Sequence, residues 1–417
     1  MKVAMVGPFG LRPKGTMRAR ALPMAKALAA RGHRVDVFLP PWSCPEESGR
    51  EWQEDGVGIH NIVLPLRIPL LRHLLVTWRL VAKALRGRPD VIHCFKPKAY
   101  AGLVAMAIWL MRRLGLVKVC LVIDSDDWEG RGGWNEVENY TWAQRRFFEF
   151  QERWGLTHND ALTVASRALE TLAWSLGVAP ERVFYVPNGA EVQGGRGAEV
   201  ISPPHPSTSA PPLRKGGGGA GGRATCPSLT VLLYTRFFEF QVERAVEIFR
   251  RVLAAAPQTL FLVIGKGFFG EERRLLHLIE EAGIADRVDY VGWVEPEELH
   301  LYFAAADVAI YPYDDTLINR TKCAVKLIEL MAVSIPVVAD DVGQNGEYIE
   351  HLVSGLLVEP GDTEAFAASV IRLLRDEGLR EALGREAQRR IYEQFGWDRV
   401  VEAVERAYQV AEGAGHG

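Results

Sequence analysis

At 417 residues, 48% apolar and 24% charged, the chain is long enough for two domains with sizeable cores. Its five cysteines (Cys44, Cys94, Cys120, Cys226 and Cys323) are widely spaced and never form C-x-x-C, so neither a disulfide framework nor a zinc site is implied and a reducing cytosol fits. The net charge of −3 hides an asymmetry, because residues 1–189 carry 26 Lys and Arg against 18 Asp and Glu and the remainder carries 23 against 34. A basic front half points to an anionic partner or to an uneven solvated surface.

Short β-rich apolar runs alternate with helical patterns throughout, which predicts parallel sheets covered by helices. In the first half, strands are expected at 3–6, 35–39, 58–63, 91–93, 119–123, 161–164 and 183–186, with a helix at 20–30. Residues 2–7 read as the first core strand rather than as a secretory signal. The segments Gly7-Pro8-Phe9-Gly10 and Lys14-Gly15-Thr16-Met17-Arg18 then form a glycine-rich loop that permits tight turns and close backbone approach.

Arg72, Arg79, Lys83 and Arg86 share one face of a predicted helix whose other positions are filled by Leu and Val. Such a helix suits an anionic membrane surface; a packing helix with a solvated basic stripe is the competing reading. His93-Cys94-Phe95-Lys96-Pro97-Lys98 ends the next strand, and its histidine reads as structural. The longest apolar run, residues 99–111, is too short to span a bilayer and reads as a buried helix. After the strand VCLVI comes Asp124-Ser125-Asp126-Asp127-Trp128. Its D-x-D suits a hard divalent cation, but three residues are a weak signal and no metal site is predicted.

Residues 190–227 hold PPHPSTSAPP and GGGGAGG and read as a disordered linker insertion, because such composition cannot bury enough surface to offset ordering. Beyond it, strands are expected at 230–234, 260–264, 288–291, 308–311, 336–339 and 355–358, and helices at 242–255, 271–282, 296–305 and 363–375. Arg236 stands at the end of the strand LLYTR. Gly265-Lys266-Gly267-Phe268-Phe269-Gly270 spells G-x-G-x-x-G, but it follows the second strand of its half, and no acidic residue clearly ends the next strand as a dinucleotide site requires.

The stretch YPYDDTLINRTKCAVKLIELMAVSIPVVADD is the most informative. A strand at 307–313 leads through a polar loop to a helix opening near Cys323, with Glu329 inside it and a second strand at 335–339. Free amides at a helix N-terminus can hold phosphate oxygens, and a carboxylate one turn further in can accept from a sugar diol.

This segment resembles the donor-binding signature of the retaining glycosyltransferases of family 4, or group 1. There two glutamates stand eight positions apart, before an M-A-x-G-x-P-V-V-A run. Glu329, Met331-Ala332 and Pro336-Val337-Val338-Ala339 match; Thr321 stands at the first glutamate and Ser334 at the glycine. Arg236 matches the arginine of the family's G-R-L-x-x-x-K, while Thr235 replaces its glycine and Gln241 its lysine. Phe395-Gly396-Trp397 resembles the start of the family's terminal helix, and Glu347 matches a glutamate whose role there is mostly architectural.

The resemblance implies two Rossmann-like doubly wound parallel-sheet domains facing a cleft (the GT-B fold), with a C-terminal helix returning to the first domain. The implied division is an acceptor-side domain at 1–189, the linker insertion, a nucleotide-sugar domain at 228–390 and a crossover helix and tail at 391–417. Donor contacts would come from Arg236, Gly265, Gly267, Thr321, Lys322, Lys326 and Glu329. Asp126, Asp127 and Arg18 would act on the acceptor side, beside the loop residues Gly10, Gly15 and Thr16. The expected activity is sugar transfer from a nucleotide-sugar to a glycan or lipid-linked acceptor, in the cytoplasm or on the inner membrane face. No nucleic acid, cofactor or metal would take part. Alternatives are an impaired nucleotide-sugar or glycan binder, motivated by Thr321 and Gln241, and a nucleotide-sugar epimerase.

Overall fold

The computed structural model describes residues 1–12, 15–65, 71–191 and 228–414, which form two compact units. Of the described residues, those of 1–191, Arg320–Cys323 and 395–414 form the first and those of 228–319 and 324–394 the second. From residue 192 to 227 the expected linker insertion lies outside the described residues, as do Lys14 and Cys226.

Eight strands build the first unit: β1 Lys2–Val6, β2 Arg34–Leu39, β3 Glu51–Glu54, β4 Val57–Asn61, β5 Val91–Phe95, β6 Cys120–Ser125, β7 Ala161–Val164 and β8 Val183–Tyr185. They lie in the order β3-β4-β2-β1-β5-β6-β7-β8, parallel except for β3 against β4. Every residue of β5 and β7 is buried, as near-continuous apolar runs demand in a sheet covered on both faces.

Right-handed crossovers place the helix Leu22–Ala30 on one face of this sheet. The helices Leu71–Arg86, Ala99–Arg113, Trp142–Thr157 and Arg167–Ser175, which step the other way across the sheet, fall on the opposite face. The terminal helix Trp397–Ala414 returns to the first unit and buries Val400, Val401, Val404, Ala407 and Tyr408 in the core beside Leu22–Ala30.

β3 is absent from the sequence reading because EWQE is polar and lies at the sheet edge. Its signal is Asp55-Gly56, whose φ values of 47° and 82° make the two-residue hairpin turn into β4.

Six parallel strands build the second unit: β9 Thr230–Tyr234, β10 Leu260–Ile264, β11 Val288–Gly292, β12 Val308–Tyr311, β13 Val337–Asp340 and β14 Leu356–Val358, in the order β11-β10-β9-β12-β13-β14. The helix Val242–Ala255 turns Ala245, Val246, Ile248, Phe249 and Val252 inward at helical spacing, onto the core formed with β9, β10 and β12. Among the described residues no helix is long and apolar enough to cross a membrane. Strand order reverses between β1 and β5 in the first unit and between β9 and β12 in the second. The carboxyl ends of strands at such reversals are where open α/β sheets place their ligands.

Candidate active site

In the second unit, β9 ends at Tyr234 and the chain turns through Thr235, Arg236 and Phe237. The buried Thr235 hydroxyl donates to Glu239 at 3.1 Å and accepts from the Phe237 N–H at 2.8 Å, while Glu239 also accepts from the Arg236 N–H at 3.2 Å. These bonds hold Phe237 at φ 68°, a conformation that costs a non-glycine residue on the order of 1 kcal/mol. The turn lays the Arg236 guanidinium over the Phe268 ring, 4.2 Å from its centroid, with Trp293 at 6.0 Å. Arg236 Nε is buried and has no hydrogen-bond partner among the described residues.

Phe268 belongs to the Gly265–Gly270 turn. Gly265, at φ 132°, comes so close to β9 that a Cβ would fall 1.8 Å from the Thr235 carbonyl oxygen, so only glycine fits. The Gly267 N–H donates to Glu272 at 3.1 Å and the Phe269 N–H to Glu271 at 2.7 Å. Carboxylates of the following helix therefore hold amides that the sequence reading assigned to a nucleotide.

The helix Val325–Ala332 presents Lys326 and Glu329, one turn apart, toward the end of β9. Lys326 Nζ lies 5.2 Å from the centroid of the Tyr234 ring. Burial holds the Glu329 carboxyl above its ordinary range, against the pull of Lys326 and of a hydrogen bond from Tyr234. Burial and the Glu329 charge in turn raise Tyr234, which also feels Arg236. Glu329 Oε2 is buried without a hydrogen-bond partner among the described residues. Tyr234 thus joins Arg236, Lys326 and Glu329; the sequence reading missed it, because the last residue of an apolar strand looks like core.

Thr321 and Lys322 group with the first unit. The helix starts at Val325, later than expected, so Lys322 precedes it instead of standing in its first turn. Both residues are buried in the Arg320–Cys323 segment of the first unit, where the Thr321 carbonyl accepts from the Ser166 hydroxyl at 3.1 Å. Gln241, at the cationic position of the signature, is an exposed residue that precedes the helix Val242–Ala255; its N–H donates to Asp314 at 3.0 Å.

In the first unit, a π-helical turn, Met17–Ala21, follows β1. Such a turn shifts the facing of side chains by a fraction of a turn. Here Arg20 is aimed inward while Arg18 is exposed. The buried Arg20 donates to both Asp124 oxygens at 2.8 and 2.7 Å and to Asn188 at 3.0 Å. Asp124 also accepts from Thr163 at 2.6 Å, so these partners occupy the first carboxylate of the D-x-D. His93 is buried within β5 between Tyr408 at 2.9 Å and Thr163 at 3.2 Å, and burial lowers it to about 4, leaving the ring neutral and structural. Of the loop residues, Gly10 is buried, Gly15 is exposed, and Thr16 precedes the π-helical turn without capping it.

Asp126 and Asp127 stand just past β6, facing Lys96 at the end of β5. Lys96 Nζ lies 3.3 Å from Asp126, 2.8 Å from Asp127 and 3.2 Å from Glu129, and Lys98 pairs with the other Glu129 oxygen. Lys96 and Ala99 hold φ values of 52° and 51°, strain that this ionic cluster and the packing around it sustain. Burial pushes the Asp126 carboxyl up to about 7 against the pull of Lys96, and Asp127 and Asp124 add to the rise. Burial also raises Glu152 well above its ordinary range, and burial on Glu129 is outweighed by Lys96 and Lys98. The sequence reading noted Lys96 and Lys98 as cations but missed Glu129 and Glu152 beside them, and it missed Arg20 as the partner of Asp124.

Two doubly wound sheets, one ending in an arginine, a lysine and a carboxylate around a tyrosine, define an α/β protein of two Rossmann-like domains. The fold has close counterparts: a sucrose-phosphate synthase from Thermosynechococcus elongatus superposes with a TM-score of 0.70 at 21% identity, covering 98% of both chains. Residues 229–390 match the model "Glycosyl transferases group 1" and residues 15–189 match "Glycosyl transferase 4-like domain". The chain belongs to the group 1 glycosyltransferases, a family of sugar-transferring enzymes.

Among curated relatives, an uncharacterized glycosyltransferase from Methanocaldococcus jannaschii is 30% identical over 32% of this chain, a match that spans only 33% of that relative. A phosphatidyl-myo-inositol mannosyltransferase from Mycolicibacterium smegmatis is 24% identical over 100% of this chain and 95% of its own.

Proposed function

We propose that the chain moves a sugar from a nucleotide-sugar donor to a glycan or lipid-linked acceptor with retention at the anomeric carbon. One observation carries the reading: Arg236 after β9 and Glu329 on the helix facing it each hold a buried polar atom without a hydrogen-bond partner among the described residues, where the strand order reverses. Buried donors and acceptors are costly when unmade, so a site that keeps both is shaped for a ligand offering the complementary groups. A nucleoside diphosphate offers them: its phosphate oxygens accept from Arg236 and Lys326, and its ribose hydroxyls donate to Glu329.

The acceptor hydroxyl attacks the anomeric carbon as the bond to the diphosphate breaks, and the hydroxyl proton passes to the departing phosphate oxygen. Fixed cations lower this barrier by stabilising the charge that develops on the leaving group. In this reading Asp126, Asp127 and Arg18 orient the acceptor, and neither a resident cofactor nor a divalent metal is required. The reaction is placed in the cytoplasm, with a lipid-linked acceptor reached at the inner membrane surface.

A thermal-shift screen of UDP-, GDP- and ADP-sugars, followed by turnover with the stabilising donor, tests the proposal. One donor should raise the melting temperature, and Glu329→Ala should abolish the rise. Stabilisation unchanged in the variant would remove Glu329 from the site; sugar conversion without any acceptor would mark an epimerase instead.

A further inference from the structure

The helix Trp142–Thr157 carries a face that no described residue of the first unit covers. A capping box fixes its start, with the Gln144 N–H donating to Thr141 Oγ1 at 3.3 Å and the Thr141 N–H to Gln144 Oε1 at 2.9 Å. At roughly 100° per residue, Trp142, Arg146, Phe150 and Arg153 fall within about 80° of one another, flanked by Arg145 and Phe147. All six are exposed, Trp142 at 78% and Phe150 at 50%. The other side of the helix is buried through Gln151, Glu152, Gly155 and Leu156.

Its height in the fold is fixed by Gln151, which accepts from the Ala99 N–H at 2.9 Å and donates to the Ala99 carbonyl at 3.1 Å. Ala99 is the first residue of the helix Ala99–Arg113, so the turns before Gln151 project past the sheet at its carboxyl edge. Across that helix, His73 meets Tyr100 at 2.9 Å and sets the start of Leu71–Arg86 at the same level. There Leu74 and Trp78 are 66% and 64% exposed. The basic stripe expected to meet lipid is partly engaged, since Arg79 donates to the Val63 carbonyl at 2.6 Å and Lys83 pairs with Glu51. On the aromatic face Arg146 pairs with Glu149 at 3.4 Å and Arg145 reaches the Glu138 carbonyl at 3.5 Å, and both arginines stay exposed.

We propose that the aromatic and arginine face of Trp142–Arg153, with Leu74 and Trp78 beside it, docks the first unit on an anionic phospholipid surface. Aromatic side chains settle at the headgroup level, and arginines are drawn to acidic lipids. The net positive charge of residues 1–189 complements such a surface. The inference deepens the acceptor side of the proposed reaction, but its test reads binding and not transfer.

The purified full chain is floated with vesicles of phosphatidylcholine alone or mixed with phosphatidylglycerol, at low and high salt. The chain should float only with the mixed vesicles, and less at high salt. Trp142→Ser with Phe150→Ser should weaken binding at least about tenfold, since two buried aromatics are lost. Arg145→Gln with Arg146→Gln should weaken it about fivefold per charge. Thermal melting and donor-induced stabilisation should be unchanged in both variants, so a failure of lipid docking is separable from a failure of the donor site. No flotation with mixed vesicles at low salt, or wild-type flotation of the Trp142→Ser, Phe150→Ser variant, overturns the proposal. So does light scattering that shows a dimer which that variant splits, for then a second copy covers the face.

Discussion

At the carboxyl edge of the first sheet most charges are answered from within: Arg20 by Asp124, Lys96 by three carboxylates, Lys98 by Glu129. At the same edge of the second sheet, Arg236 rests on an aromatic ring and Glu329 keeps an unanswered oxygen. Both places are cationic and acidic and both stand where strand order reverses; the first is buried, the second half-buried. The difference is one of degree: Asp126 Oδ1 and Glu152 Oε2 also lack hydrogen-bond partners among the described residues, but Arg20 and Lys96 are each closed by ion pairs, whereas Arg236 has none there. A closed network holds loops such as 96–99 in strained conformations, whereas an open one leaves hydrogen-bonding capacity for a ligand. The two should therefore fail differently when cut.

The largest effect is expected in the first unit. Arg20→Met leaves Asp124 buried without its cation and should cost about 3–5 kcal/mol, read from the urea midpoint. Adding Asp124→Leu should recover much of that loss, and a cost below about 1 kcal/mol for the single variant would undo the contrast. In the second unit, Arg236→Ala should lower turnover about a hundredfold. Its midpoint should stay within about 1 kcal/mol of wild type, because no internal hydrogen bond of the guanidinium is broken. A large stability loss there would mean that this site is as closed as the other.

Asp126 sharpens the comparison through pH. Its folded value of about 7 lies above the ordinary 3.8, so the folded state keeps a proton that the unfolded chain has released. This group's contribution therefore favours folding less as pH rises from about 4 to about 7. Asp126→Asn should match wild type near pH 4 and exceed it by on the order of 4 kcal/mol above pH 8, measured by urea unfolding at both. An advantage that did not grow with pH would show that Lys96 holds Asp126 ionised. The smallest effect is expected for Lys83→Ala, which removes a partly exposed pair with Glu51 and should shift the midpoint by less than about 0.5 kcal/mol.

Much of the candidate site in the second unit was legible in the chain. Glu329, Lys326 and Arg236 stand at strand ends and helix starts, places that apolar periodicity and turn residues mark locally. Each of the thirteen expected strands has its counterpart, and only the polar edge strand Glu51–Glu54 went unread. Tyr234 escaped because its role depends on which helix faces it.

What the sequence determined by itself is the alternation of elements and the chemistry carried at their ends, since period, capping and turn preference act over a few residues. Only the tertiary structure decided which charges cancel. It paired the buried Arg20 with Asp124, drew Lys96 to Asp126, Asp127 and Glu129, and put Thr321 and Lys322 ahead of the Glu329 helix. Those partnerships join residues distant in the chain, and burial sets their strength; neither quantity is written in local spacing.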